Sequence, residues 1–446
     1  MAFLIKTIQF LAGLSIIVGI HELGHLLFAK LFGMRVNSYM IGFPPKIFKI
    51  KFGETEYALG SIPLGGAVQI AGMIDESLDS NHLTNPPQPW EFRSKSAWQR
   101  LMVILGGIVF NLISGTLIYI GLVYMRGSTY LPKDEVNKYG IIPNTIGMQM
   151  GFKEGDKIIK INGKDFEDFN DALSPTLLLR EKSYYTIIRD DRELNLSIPE
   201  KIIEYLSDNY KTPFIQPIYP CVIRTVVPNS NAYLAGLMEK DQIITLAGKA
   251  TLHIDQLITV AKTCLGKEVE IVYLRNGIQM ATTIKIEQQG LGIVLAQPAY
   301  KALKYSFLQS IPIGVKKATT TIQNQCLAIW KLLTGKLSIT KSLGGPISIV
   351  QIFSNEFIWD RFLELVALLS IVIGLTNLLP LPVLDGGHAL FILYEMLSGR
   401  KPSDRFLKIT QKWGMVILLL IMLYAFGNDI RKLLTAAFMY FATYKS

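Results

Sequence analysis

The chain has 446 residues, 50% of them hydrophobic and only 18% charged, and its mean hydropathy is +0.32. That balance argues against a wholly soluble enzyme and for a membrane protein with a soluble part, in a chain long enough for two or three domains. The formal charge of +10 does not signal nucleic acid, because no basic stripe with interleaved aromatics occurs and the Lys and Arg sit largely beside apolar segments.

The first apolar segment runs from about Phe3 to Phe32, enough at about 1.5 Å per residue to cross a bilayer. It has no small-residue cleavage site, so we read it as a permanent helix and not as a signal peptide. Inside it stands His21-Glu22-Leu23-Gly24-His25. Two histidines four residues apart share one helix face and reach one metal ion, and Glu22 lies beside that face, placed to take a proton from water. His21 sits about 15 Å from the C-terminal end of this helix, at membrane depth. Ionisable groups cost roughly a few kcal/mol each there unless something compensates, so a metal site outweighs a chance pattern.

Between Gly33 and Ala97 the chain carries Arg35, Lys46, Lys49, Lys51, Arg93 and Lys95, with Arg100 just beyond, against the single Lys6 before the first segment. This bias places the loop on the cytoplasmic side. Lys46 to Phe52 alternates, Gly53-Glu54 turns, Thr55 to Leu59 pairs back, and Gly66-Ala67-Val68-Gln69-Ile70 reads as a further strand. Two roles stand open: an edge around Gly66 and Val68 that positions an extended substrate by strand addition, or a small structural sheet. The second segment, Ala97 to Tyr124, contains Gly106-Gly107 for close helix packing and Asn111, which serves either to hold a backbone or a substrate, or to hold a catalytic water.

From about Gly127 the hydropathy falls and a repeat appears. Gly151-Phe152-Lys153-Glu154-Gly155-Asp156 recurs as Gly236-Leu237-Met238-Glu239-Lys240-Asp241, a shift of 85 residues (236 − 151) that Gly163 and Gly248 keep, as do Tyr184 to Ile188 and Val269 to Tyr273. The repeated turn and its flanking short strands resemble PDZ domains, although the carboxylate-binding loop is not evident. Either the modules bind peptide or they limit sterically what reaches the membrane. The expected domains are 1–126, with the first two membrane segments and the β loop; 127–215 and 216–299, the two PDZ-like modules; 300–357, amphipathic connecting helices on the outer membrane surface; and 358–446. Cys221, Cys264 and Cys326 show no C-x-x-C spacing and read as small core residues, with a Cys221–Cys264 bridge left open.

The third segment begins near Phe362 and is interrupted at Asn377-Leu378-Leu379-Pro380-Leu381-Pro382-Val383-Leu384-Asp385-Gly386-Gly387-His388. A helix broken inside a membrane requires protein or a wet cavity around it, and this break presents a carboxylate. Asp385 with His21 and His25 makes a two-histidine, one-carboxylate site with one position left for water, which suits a single zinc ion. His388 is either a supporting or a structural residue, and Asn377 is a candidate for positioning substrate. Basic residues from Arg400 to Lys412 are again cytoplasmic, and a short fourth segment, Trp413 to Phe426, closes the core, with an amphipathic tail from Asn428 available to extend it. The expected fold is thus a multi-pass α-helical membrane protein of about four transmembrane helices, with a membrane-associated β-hairpin region and two inserted extracytoplasmic PDZ-like domains; both termini lie outside the cytoplasm.

Taken together, H-E-x-x-H, Gly42-Phe43-Pro44-Pro45, Gly65-Gly66-Ala67-Val68, the region of Asn111, Gly344-Gly345-Pro346 (preceded by Leu343) and N-x-x-P-x-P-x-L-D-G from Asn377 to Gly386 resemble the site-2 protease family of intramembrane zinc metalloproteases, over essentially the whole chain. Within it the chain is similar to bacterial sigma-E regulatory proteases with two PDZ domains. The resemblance implies a zinc metalloendopeptidase of the bacterial inner membrane, with the modules periplasmic. It implies cleavage of a single-pass anti-sigma factor after an upstream site-1 type protease has shortened it, and for some members removal of remnant signal peptides. Partners are then the transmembrane substrate and membrane lipids, with no nucleic acid. A non-catalytic membrane scaffold that binds exported peptides would need neither Glu22 nor Asp385, and an enzyme working outside the membrane would not place His21 in an apolar run.

Overall fold

In the computed structural model the described residues are 2–73, 86–199, 202, 213–251, 253–287, 290–296, 298–337 and 344–444, so Leu343 and residues 74–85 of the basic loop lie outside them. The chain forms two compact units, Met1–Gly127 with Lys304–Ser446, and Ser128–Leu303.

The first unit is helical around one β element. Helices α1 (Ala2–Leu31) and α2 (Ala97–Arg126) have 30 residues each, and α2 starts at Ser96, whose backbone N–H and hydroxyl both donate to the Gln99 side-chain oxygen. Their backbones meet at Gly24 and Gly106: a Cβ on Gly24 would stand 2.3 Å from the Gly106 carbonyl oxygen. Only glycine permits that approach, and it fixes which face α1 turns to α2. Strands β1 (Val36–Phe52) and β2 (Thr55–Ile70) are long and bent. Tyr39 pairs with both Val68 and Tyr57, and Tyr57 pairs with both Tyr39 and Ile50. Two strands therefore make four rows, in the order 66–70, 36–41, 56–60, 46–52, with Gly66 to Ile70 on an edge.

Helix α3 (Phe307–Leu333) packs on α2, where a Cβ on Gly314 would meet Ile120 at 2.6 Å and where Ala318 is buried with Tyr119 and Leu122. Small residues at 314 and 318 open the groove in which this helix of the connecting stretch meets α2. The short α4 (Pro346–Ile352) is tied to α7 (Asp404–Tyr444) through Asp429, whose carboxylate accepts the backbone N–H of Gly345 at 3.0 Å, Ile347 at 2.9 Å and Ser348 at 3.1 Å. This explains the Gly344-Gly345-Pro346 run: a Cβ on Gly345 would stand 2.6 Å from the carboxylate.

Three helices among the described residues are long and apolar enough to cross a membrane: Ala2–Leu31, Ala97–Arg126 and Arg405–Thr435. The last covers the expected Trp413 to Phe426 segment, and the tail from Asn428 extends it, since the helix runs unbroken from Asp404 to Tyr444. The third expected segment falls on α5 (Trp359–Asn377). It opens with charges that are paired in place, Asp360 with Arg126 at 2.5 Å and Glu364 with Lys317 at 2.8 Å. After the break comes α6 (Asp385–Ser398).

The second unit holds two strand-rich modules, each with its own apolar core. In one, β3 (Lys157–Ile161), β4 (Tyr184–Arg189) and β5 (Arg192–Ser197) form an antiparallel sheet; in the other, β6 (Gln242–Leu246), β7 (Glu268–Arg275) and β8 (Ile278–Lys285) do the same with the short strand Lys249–Ala250. The repeat extends to individual bonds. Arg189 grips the fully buried Asp156 carboxylate at 2.6 and 2.7 Å and the Gly151 carbonyl at 2.7 Å, while Arg275 grips Asp241 at 2.7 and 2.8 Å and the Gly236 carbonyl at 2.7 Å.

The shift of 85 does not hold throughout. Arg189 and Arg275 stand 86 apart (275 − 189), and so do the buried pairs Tyr185/Ile271 and Ile187/Tyr273. One extra residue lies in the second module before its strand, and matching at 85 would turn the inward face outward. Of the cysteines, Cys221 is buried in the second core, Cys264 is half-buried, and both are free thiols. Cys326 is exposed on α3, so it is no core residue.

Candidate active site

Helix geometry puts His21 and His25 one turn apart on α1, and their Nε2 atoms are 3.2 Å from each other. Asp385 arrives from the other end of the chain. Helix α5 stops at Asn377, the segment through Pro380 and Pro382 cannot continue it, and α6 restarts at Asp385 itself. The two glycines after Asp385 let α6 press onto that segment: a Cβ on Gly386 would lie 2.2 Å from the Leu378 carbonyl oxygen, and one on Gly387 would lie 2.2 Å from that of Leu381. Asp385 Oδ2 is thereby held 3.1 Å from His21 Nε2 and 3.5 Å from His25 Nε2.

These three atoms suit a metal ion. A tetrahedral ion bound at about 2.0–2.2 Å keeps its ligand atoms roughly 3.3–3.6 Å apart, close to the three separations found. Asp385 Oδ2 is buried without any hydrogen-bond partner, a costly arrangement for a carboxylate that a cation would relieve. His25 Nδ1 lies 2.8 Å from the Val103 carbonyl oxygen; a carbonyl only accepts, so Nδ1 carries the proton and Nε2 turns a lone pair to the centre. Gly107 opens the room, since a Cβ there would lie 2.5 Å from His25 Nε2 and 2.6 Å from the His21 ring. Gly106 and Gly107, read in the sequence as packing residues, thus divide their duties between the helix contact and the cradle.

The other expected residues fall in two places. Glu22, Gly66, Val68 and Asn377 line a cavity of about 380 Å³ together with the three candidate ligands. The Val68 backbone N–H donates to the Glu22 carboxylate, and the edge strand lies so close to α1 that a Cβ on Gly66 would meet Val18 at 2.7 Å and Glu22 Cγ at 3.1 Å. Asn377 Nδ2 is 3.3 Å from His21 Nε2. His388 lines this cavity and also a smaller one of about 180 Å³, beside the half-buried Arg100–Glu395 pair at 2.6 Å. Asn111 is different: it is fully buried, stands 3.3 Å from His21 Nδ1, and is not among the residues that line the cavity.

Sequence reasoning missed Val103, whose role is carried by a backbone carbonyl and so leaves no residue signature, and Tyr39, whose hydroxyl donates to the Gly19 carbonyl at 2.8 Å and pins β1 to α1. A strand begun at Val36 instead of Lys46 would have brought Tyr39 into view.

With this geometry in hand, the relatives are informative. The model of peptidase family M50 matches residues 9–421. A regulator of sigma E protease from Haemophilus influenzae is 31% identical, across 97% of this chain and 100% of that protein. The corresponding protease of Salmonella typhimurium is 28% identical across 95% and 98%. A protein of Neisseria meningitidis named provisionally as a zinc metalloprotease is 28% identical across 96% and 99%.

Proposed function

Because the chain belongs to peptidase family M50, we propose that His21, His25 and Asp385 hold its zinc and that Glu22 is the general base. The protein is a zinc-dependent metalloprotease of the site-2 type, a membrane protein acting in regulated intramembrane proteolysis. The observation that supports the assignment of residues is that His21 Nε2, His25 Nε2 and Asp385 Oδ2 lie 3.1–3.5 Å from one another, the carboxylate oxygen being buried.

Zinc bound there would supply Lewis acidity, polarising the scissile carbonyl and lowering the pKa of a water to about 7. Glu22 takes the proton of the attacking water on its carboxylate and returns it to the departing amide nitrogen. The Val68 N–H holds that carboxylate in place. Gly66 to Ile70, an edge row beside the cavity, pairs with the substrate backbone once its helix has unwound, and the Asn377 amide steadies the exposed carbonyl.

The finer reading is of four spans, with α5 as the one whose charges are paired, both termini outside, and the 33–97 loop cytoplasmic. Boundaries follow the five segments 1–126, 127–215, 216–299, 300–357 and 358–446, with the second and third as periplasmic PDZ-like modules that restrict bulky substrates. The membrane is the bacterial inner membrane. The substrate is a single-pass protein of the anti-sigma factor type, already shortened by an upstream site-1 type protease. Exposed Ile47, Phe48, Ile50 and Phe52 between Lys46, Lys49 and Lys51 support a hairpin that meets lipid. Metal analysis of the purified chain tests the ligand set: one zinc per wild-type chain, and less than a tenth of that in His21→Ala, His25→Ala and Asp385→Ala, are expected. Full zinc in any of the three would sink the assignment.

A further inference from the structure

A histidine that ligates through Nε2 must carry its proton on Nδ1, and something must accept that proton. For His25 the acceptor is the Val103 carbonyl. For His21 the group at Nδ1 is the side-chain amide of Asn111, at 3.3 Å. The amide nitrogen in that position would donate to Nδ1, push the ring proton onto Nε2, and aim it at Asp385. Which end of an amide is oxygen is decided by the hydrogen bonds around it. Turned over, the oxygen accepts Nδ1–H and Nε2 is left with its lone pair toward the centre.

We propose that Asn111 is the positioning residue that makes His21 a metal ligand, by accepting the Nδ1 proton through its side-chain oxygen. This rests on the zinc site proposed above. It revises the expectation that Asn111 positions substrate. Its surroundings are built for rigidity. The hydroxyls of Ser114 and Ser370 donate to the Asn111 backbone carbonyl at 3.0 and 2.9 Å and lie 3.0 Å from each other, linking α2 to α5. Gly374 faces its Cβ, with room for a Cβ of its own only at 3.2 Å. An amide suits the place because it accepts a hydrogen bond without adding charge at membrane depth.

The experiment measures zinc affinity of the full chain in detergent, by chelator competition, for wild type, Asn111→Leu and Asn111→Asp, with cobalt substitution to read ligand geometry from the absorption spectrum. Leucine keeps the bulk and removes the acceptor; aspartate keeps an acceptor. The expected result is zinc affinity about 10–100-fold weaker in N111L with an altered cobalt spectrum, and recovery to within a few-fold of wild type in N111D. At saturating zinc, KM stays unchanged. N111L binding zinc as wild type does, N111D binding as poorly as N111L, or a raised KM at unchanged zinc affinity would each overturn the proposal. A wild-type chain that takes up no zinc would overturn the metal site itself, a distinct failure.

Discussion

At the scale of single residues, the two strand-rich modules solve the burial of a carboxylate in the same way: each gives it a fixed partner. Asp156 and Asp241, both fully buried, are each gripped by an arginine fork and a backbone N–H, that of Lys153 and of Met238 respectively, each at 2.8 Å. Removing one partner of such a pair costs about 3–5 kcal/mol, because a charge is left uncompensated. Asp156→Leu is therefore expected to lower hydrogen-exchange protection across Tyr184 to Ser197 while leaving Gln242 to Lys285 protected, and Asp241→Leu to do the reverse. Loss of protection in both modules from either change would show that they do not hold separate cores. Asp385 stands apart from these two: its buried Oδ2 has no arginine or backbone N–H to hold it and faces the two imidazoles, which supports the ligand role proposed for it.

At the scale of elements, the site depends on backbones brought within a side chain's width of one another. Gly107→Ala places a methyl 2.5 Å from His25 Nε2, so zinc content is expected to fall at least tenfold while the protein still elutes as a folded species; full zinc occupancy would refute the cradle. Gly66→Val forces β2 away from α1 and from Glu22, so kcat is expected to fall about 10–100-fold, in keeping with the loss of a hydrogen bond to a charged group, with zinc retained. The candidate ligands were legible in the sequence, because metal chemistry demands particular side chains at helical spacing and a helix break at membrane depth needs a reason. The row Val36 to Ile41 was not, because Val36-Asn37-Ser38-Tyr39-Met40-Ile41 alternates only weakly and its strand character comes from neighbours on both sides. Nor was the duty of Asn111, whose partner lies 90 residues away on another helix. The repeat was visible through its glycines and aspartates, yet the single extra residue before β7 emerged only from which side chains turn inward.

At the scale of the whole molecule, the topology proposed above is testable by the side from which single cysteines are reached. In a chain whose exposed Cys326 is replaced by Ser, Lys49→Cys is expected to react with a membrane-impermeant thiol reagent only from the cytoplasmic side, and Lys182→Cys only from the other. Both reacting from one side would remove the proposed topology. The central claim is that one zinc site, with Glu22 as its base, cuts a substrate inside the membrane. It is tested most directly by purifying wild type and Glu22→Gln, measuring the zinc in each, and following cleavage of a transmembrane reporter peptide in detergent. One zinc is expected in both chains, with a cleavage rate in Glu22→Gln about 10²–10⁴-fold below that of wild type. Cleavage at the wild-type rate by zinc-loaded Glu22→Gln would contradict it.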